Sequence, residues 1–172
     1  MRISVLGAGY LGAVHATSMA SLGFDVVGVD TDSGKIASLA EGVPPFYEPG
    51  FDEMLGDVMA SGRLTWTTDY TDVADCDLHF ICVGTPQRDG SRAADIRYVD
   101  GAVRSLLPHL KPDSVIAGKS TVPVGTARRL TELVDVAWQG SPDNAPVVVW
   151  NPEFLREGFA VQDTLHPDRI VV

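Results

Sequence analysis

The first thirty residues leave this chain few folds to choose from. Arg2 to Leu6 is a short apolar run, and Gly7-Ala8-Gly9-Tyr10-Leu11-Gly12 follows at once. Ala13 to Leu22 reads as a helix, and Val26 to Val29 as a second apolar run ending in Asp30. Strand, glycine turn, helix, strand and acid in that order define a βαβ unit built to hold a dinucleotide. Gly7 permits the tight turn, Gly9 lets the backbone approach a pyrophosphate, and Gly12 lets the helix pack closely on the strand. The helix then offers its free N–H groups and the positive end of its dipole to the phosphates. Asp30 stands about 20 residues on, where a carboxylate accepts from ribose hydroxyls.

That acid also selects the cofactor. A carboxylate at Asp30 repels a 2′-phosphate, so NAD is expected over NADP. Lys35 lies close enough to complicate the choice, but no arginine directly follows Asp30. The formal net charge of −10 argues against a nucleic-acid partner without excluding a nucleotide, which local N–H groups can hold.

The rest of the chain repeats the alternation. Helices are expected over Asp32–Ala40, with Ile36, Leu39 and Ala40 on one face and Asp32 or Ser33 as cap. Others follow over Phe51–Ala60, over Asp95–Leu107 with Asp95 as cap, and over Thr126–Val136. Strands are expected over Leu64–Thr67, Asp77–Val83, Ser114–Gly118, Val147–Trp150 and Arg169–Val172, with a helical turn at Tyr70–Ala74. Val43–Gly50 holds three prolines and a glycine and reads as loop; Gln87–Ala94 reads as polar and flexible. The fold class is therefore α/β: a Rossmann-type doubly wound, mostly parallel sheet with helices on both faces. At 172 residues the chain fits one domain, 1–172. Its strand-like end suggests the front part of a longer enzyme. No apolar run approaches a membrane span and no signal peptide is seen, so a reducing cytoplasm is the simplest compartment.

In such a sheet, ligands bind beyond the carboxyl ends of the strands. Five distinctive loops fall there: 7–12, 30–35, 83–86, 119–125 and 151–158. Val83, Gly84, Thr85 and Pro86 form a rigid turn from which Thr85 can offer a hydroxyl to the cofactor. Ser120 and Thr121 offer hydroxyls to the nicotinamide ribose or to a water, or else cap the next helix. Glu153 and Glu157 share a face if their turn is helical, and a carboxylate there can act as base. Cys82 is rejected as a nucleophile, because it lies in an apolar run with no charge beside it. The four histidines and two cysteines show no metal-ligand spacing.

Taken together, these stretches resemble the UDP-glucose/GDP-mannose dehydrogenase family, and specifically its N-terminal NAD-binding domain. The matching segments are Gly7–Gly12, Tyr47–Gly50, Cys82–Pro86, Lys119–Thr126, Asn151–Gly158 and Pro167–Val171, in family order. The resemblance implies oxidation of a sugar C6 hydroxyl to the acid with two NAD, through a thioester on a cysteine. It implies a sugar-nucleotide substrate, UDP-glucose first, with no membrane partner and a homodimer or higher assembly for the full-length enzyme. Gly7, Gly9, Tyr10, Leu11, Gly12, Asp30, Lys35, Val83, Gly84, Thr85, Pro86, Ser120, Thr121 and Glu157 are then the cofactor contacts. Thr121 and Glu153 match the pair that positions and activates a water. Glu153, Phe154, Leu155, Arg156 and Glu157 match the segment along the sugar nucleotide. Cys76 and Cys82 do not match the family nucleophile, so this chain alone is expected to bind NAD without turning over. The competing readings are a GDP-mannose or other sugar-nucleotide dehydrogenase, a 3-hydroxyacid-type dehydrogenase, and a free-standing NAD-binding module.

Overall fold

A computed structural model describes residues 1–172. Six strands, β1 (Arg2–Leu6), β2 (Asp25–Val29), β3 (Leu64–Thr67), β4 (Leu78–Ile81), β5 (Val115–Gly118) and β6 (Val147–Trp150), form one sheet in the order β3-β2-β1-β4-β5-β6. Every pairing is parallel, so the sheet is wholly rather than mostly parallel. From β1 the chain winds outward to β3, returns to β4 and winds outward again to β6. The crevice between the ends of β1 and β4 is thus the topological switch point.

Helices cover both faces because the strands alternate their apolar side chains between two cores. On one face Ile3, Val5, Val26 and Leu64 pack with α1 (Tyr10–Ser21), α2 (Ser33–Ala40), α3 (Phe51–Ser61) and the start of α6 (Ala160–Leu165). On the other, Leu6, Val27, Val29 and Ile81 pack with α4 (Arg97–Leu106) and α5 (Thr126–Ala137). Phe51 and Leu55 of α3 are fully buried. Burial of a side chain that size contributes about 1.5–3 kcal/mol. No helix is long and apolar enough to cross a membrane.

α1 has no solvent face over Gly12–Ser18, since it is enclosed by the sheet, α3 and α6. His15 sits there edge-on to Phe80, ring centroids 4.3 Å apart. His79 of β4 meets Ser4 Oγ at 2.7 Å through Nδ1. Burial lowers the first imidazole to about 3 and the second to about 4, so both are neutral packing residues.

The two outer strands are seated alike. Trp66 of β3 lies over Gly28 of β2, and Trp150 of β6 lies over Gly118 of β5, each pair in direct register. A Cβ on Gly28 would stand 2.1 Å from the Trp66 ring, and one on Gly118 would stand 2.3 Å from that of Trp150.

Four sequence expectations change. Ala40 is exposed, because α2 buries only Ile36 and Leu39. Gln87–Ala94 is not simply loose: a Gln87–Ala94 bridge and a 2.9 Å bond from Arg88 N–H to Ala93 C=O close it. Asp95 precedes α4 by two residues, though its carboxylate still accepts from Arg97 N–H at 3.1 Å. Arg169–Val172 forms no strand, since a strand needs a neighbour and nothing in the chain pairs with it beyond one bond from Asn151 Nδ2 to Val171 C=O.

Candidate functional site: a dinucleotide crevice at the sheet switch point

The glycine loop is fixed by close approach. Gly7 has φ +99°, and a Cβ there would lie 2.8 Å from the Val83 nitrogen, so the loops after β1 and β4 touch. A Cβ on Gly12 would lie 1.7 Å from the Gly7 oxygen, which sets how near α1 comes to β1. Around Gly9 the space is open, and this residue stands at the N-cap of α1 with no side chain to occupy the first-turn N–H groups. Those donors are left to an anion.

At the end of β2, Asp30 Oδ2 accepts from Ala8 N–H at 2.7 Å and from Lys35 Nζ at 3.0 Å, while Oδ1 accepts from Asp32 N–H at 3.0 Å. Burial pushes this carboxyl up, but the two N–H donors and the Lys35 ammonium outweigh it and hold it below the usual range. Asp30 is therefore a fixed, ionised acceptor that also steadies the glycine loop. Asp32 caps α2 through Gly34 and Lys35 N–H, which aims Lys35 back at Asp30.

Asp30 and Lys35 line a cavity of about 650 Å³ with Gly7, Gly9, Val83, Gly84 and Pro86. Its far wall went unread in the sequence: Arg97, Tyr98, Gly101 and Ser105 of α4. The signal was present. Opposite the buried stripe Val99, Val103 and Leu106, Tyr98, Gly101 and Ser105 recur on one helical face. Of the cavity's two cations, Lys35 is paired with Asp30 and Arg97 with Asp95, leaving none free for a 2′-phosphate.

The hydroxyls of the next two loops turn inward. Ser120 Oγ, buried, donates toward Val83 C=O at 2.6 Å and reaches Ile81 C=O at 3.2 Å. Thr85 Oγ1 donates to Thr121 C=O at 2.9 Å. These bonds stitch the loops after β4 and β5 together. Thr121 itself is exposed and lines neither this cavity nor the one beyond β6. Cys82, directly after β4, is buried and its thiol is pushed up to about 12 by desolvation; Cys76 is likewise raised, to about 11. Neither is a nucleophile.

Beyond β6 the backbone is irregular from Asn151 to Arg156, so Glu153 and Glu157 do not share a helical face. Pro152 removes a donor and Glu153 Oε2 instead accepts from Leu155 N–H at 2.8 Å, closing a local turn; the helix starts only at Ala160. A second cavity of about 490 Å³ lies against this segment, lined by Lys119, Asn151, Glu153, Phe154, Leu155 and Arg156 among others. Lys119 Nζ donates to Asn151 Oδ1 at 3.0 Å, and burial lowers its pKa although Cys82 and Glu153 act the other way. Arg156 is held by Asp163 at 2.7 and 3.0 Å and lies over the Phe159 ring. Glu157 is exposed on the turn before α6.

Tyr10 and Leu11 pack their side chains against the first core and do not line the cavity. The Tyr10 ring packs edge-on to Phe46, and its hydroxyl donates to Glu48, a buried carboxylate in the 43–50 loop. Burial, then the bond to Glu48, raises the phenol to about 12. Glu48 also accepts from Gly158 N–H at 2.9 Å and Ala160 N–H at 2.7 Å. No group of three His, Cys, Asp or Glu is placed to hold a metal.

An all-parallel doubly wound sheet, a side-chain-free phosphate loop at its switch point and an ionised ribose acceptor at the end of β2 define the dinucleotide-binding unit of an α/β dehydrogenase. The model of the UDP-glucose/GDP-mannose dehydrogenase family, NAD binding domain, matches residues 1–172, and the chain belongs to that family. UDP-glucose 6-dehydrogenase of Rhizobium meliloti is 46% identical over the whole chain, and a UDP-glucose 6-dehydrogenase of Bacillus subtilis is 40% identical. The chain spans 39% of the length of each. Among solved structures, a UDP-glucose dehydrogenase from Pyrobaculum islandicum superposes with a TM-score of 0.90 at 41% identity, covering 98% of this chain and 39% of that one. A GDP-mannose dehydrogenase from Pseudomonas aeruginosa superposes at 0.87 with 35% identity, covering 97% and 39%. The cofactor is NAD. The open face at Gly9 and the fixed acceptor Asp30 fit it, with no free cation for the phosphate of NADP.

Proposed function

We propose that this chain is the cofactor half of a longer sugar-nucleotide dehydrogenase that oxidises the C6 hydroxyl of UDP-glucose to the carboxylate. GDP-mannose is the competing substrate, since relatives of both kinds superpose on the chain. Bound NAD supplies the hydride acceptor, and alcohol to acid takes two such transfers. Asp30 accepts from the adenosine ribose and Lys35 flanks it. The first-turn N–H groups of Tyr10, Leu11 and Gly12 hold the pyrophosphate. Val83, Gly84 and Pro86 wall the crevice, while Ser120 and Thr85 keep Thr121 at its rim, near the nicotinamide end. Thr121 and Glu153 hold a water and draw its proton for hydrolysis of the acyl intermediate. The segment Glu153–Glu157 lies along the sugar nucleotide.

The observation that carries this reading is the Asp30 carboxylate, fixed by Ala8 N–H at the switch point beside a cavity of nucleotide size. Titration of NAD and NADP into the chain tests it. NAD should bind about tenfold tighter or more, the size of one charge-assisted hydrogen bond. Tighter NADP would overturn the assignment. Incubation with UDP-glucose and NAD should yield no NADH, because both cysteines are buried and protonated. Steady turnover would place the nucleophile within these 172 residues and refute the proposed division of labour.

A further inference from the structure

The 43–50 loop takes no part in the crevice, yet it holds the most completely enclosed carboxylate in the chain. Glu48 is 2% exposed. Burying a carboxylate is costly unless donors surround it. Here they do: Tyr10 Oη donates to it, Gly158 N–H donates to Oε2 at 2.9 Å, and Ala160 and Val161 N–H reach Oε1 at 2.7 and 3.4 Å. Gly158 N–H also lies 3.1 Å from Tyr10 Oη, so the three groups close a small ring.

The donors come from two places far apart in sequence. Tyr10 is the first residue of α1, directly after Gly9 of the phosphate loop. Gly158 directly follows Glu153–Glu157, and its φ of +84° sets the bend by which that segment enters α6. No other side-chain hydrogen bond joins the α1 start to residues 151–161; Glu48 and the Tyr10 hydroxyl make them all. A simple structural cap for a six-residue helix would not need a tyrosine from the phosphate loop as a fourth donor.

We infer that Glu48 is a positioning residue that couples the two halves of the site: through Tyr10 it makes the placement of the 153–157 segment depend on the state of the phosphate loop. When a dinucleotide settles on the first turn of α1, Tyr10 is held, Glu48 is held by it, and the amides of Gly158, Ala160 and Val161 are held by Glu48. The inference rests on the reading of 153–157 as the sugar-nucleotide segment, but its test does not require a sugar nucleotide.

Amide hydrogen exchange on the whole 172-residue chain, with and without saturating NAD, is that test. In the wild type, NAD should slow exchange of peptides covering 158–161 by about tenfold, the size of a charge-assisted hydrogen bond becoming fully populated. In Glu48→Gln, NAD should still bind within about threefold of the wild type, while the 158–161 amides exchange about tenfold faster and no longer respond to it. Tyr10→Phe leaves the carboxylate and the amides in place and removes only the hydroxyl link. It should keep 158–161 protected without NAD and lose the response to NAD, and it stands in should Glu48→Gln not fold. A response to NAD that persists in Tyr10→Phe, or its absence in the wild type, would overturn the coupling. Failure of the sugar-nucleotide reading would instead appear as undisturbed coupling in an enzyme that does not bind UDP-glucose.

Discussion

The unit β1-α1-β2, residues 2–30, and the segment 151–172 face the same end of the sheet but are held in different ways. In the first, backbone meets backbone: Gly12 touches Gly7, Gly7 touches Val83, and β1 is paired on both sides. In the second, the backbone is irregular up to α6 and most of its fixed points are side chains: Glu48 on the amides of Gly158, Ala160 and Val161, Asp163 on Arg156, Glu153 on Leu155. Backbone packing has one solution, whereas side-chain anchors can let go. The part that holds a constant cofactor is fixed by backbone packing, and the part proposed to meet the variable substrate is fixed largely by side-chain hydrogen bonds.

Substitutions and pH can break this comparison or sharpen it. The largest effect of a single substitution is expected at Gly12→Ala. Its methyl would meet the Gly7 backbone, which cannot step aside, so a loss of about 3 kcal/mol or more is expected, with melting about 6 °C or more lower and NAD binding lost. Melting within about 2 °C of the wild type would show that the glycine loop is not held by packing. Next comes acid. His15 and His79 are held neutral by burial, at about 3 and about 4, against an ordinary value near 6.5. The unfolded chain takes up protons that the folded chain refuses, so stability is complete above about pH 6.5 and falls as pH drops toward about 4. The slope should approach about 1.4 kcal/mol per pH unit for each histidine, and urea melts across this range with His15→Phe should flatten it. An unchanged slope would move the acid sensitivity elsewhere.

Smaller and more specific is Asp30→Ala. It should weaken NAD binding roughly ten- to a hundredfold and narrow the margin over NADP. Isothermal titration with both dinucleotides measures this, and an unaltered ratio would show that Asp30 does not face the 2′ position. The smallest effect on folding is expected from Arg156→Ala, whose exposed guanidinium pairs with the partly covered Asp163 and should leave melting within about 2 °C. A fall as large as that of Gly12→Ala would erase the distinction between the two regions.

The same distinction governs what could be read from sequence. Strand, glycine loop, helix and Asp30 are all neighbours along the chain, and each reports its role through local spacing. The loops after β4 and β5 were found at their proper edge, but the direction of the Thr85 and Ser120 hydroxyls depends on carbonyls across the crevice. Glu48 lies in the matched Tyr47–Gly50 stretch, but sequence gives it no role, because its partners lie 38 and 110 residues away. Glu153 and Glu157 share a face only if their turn is helical, and the local turn closed by Glu153 on Leu155 is not. Arg169–Val172 has a strand's composition, but pairing is a property of two segments.

The paired indoles at the sheet margins make the molecule its own optical instrument. Trp66 and Trp150 both rest on a glycine, yet Trp150 donates its indole N–H to Ser120 C=O at 3.0 Å, whereas the buried N–H of Trp66 has no partner. The fluorescence of one indole is therefore wired to the loop that bears Thr121, and that of the other is an internal reference of nearly the same geometry. With the third indole, Trp138, replaced by phenylalanine throughout, replacing each of the two in turn separates their signals, so a dye-free emission spectrum can show whether an occupant has disturbed the loop after β5 or only the sheet beneath it.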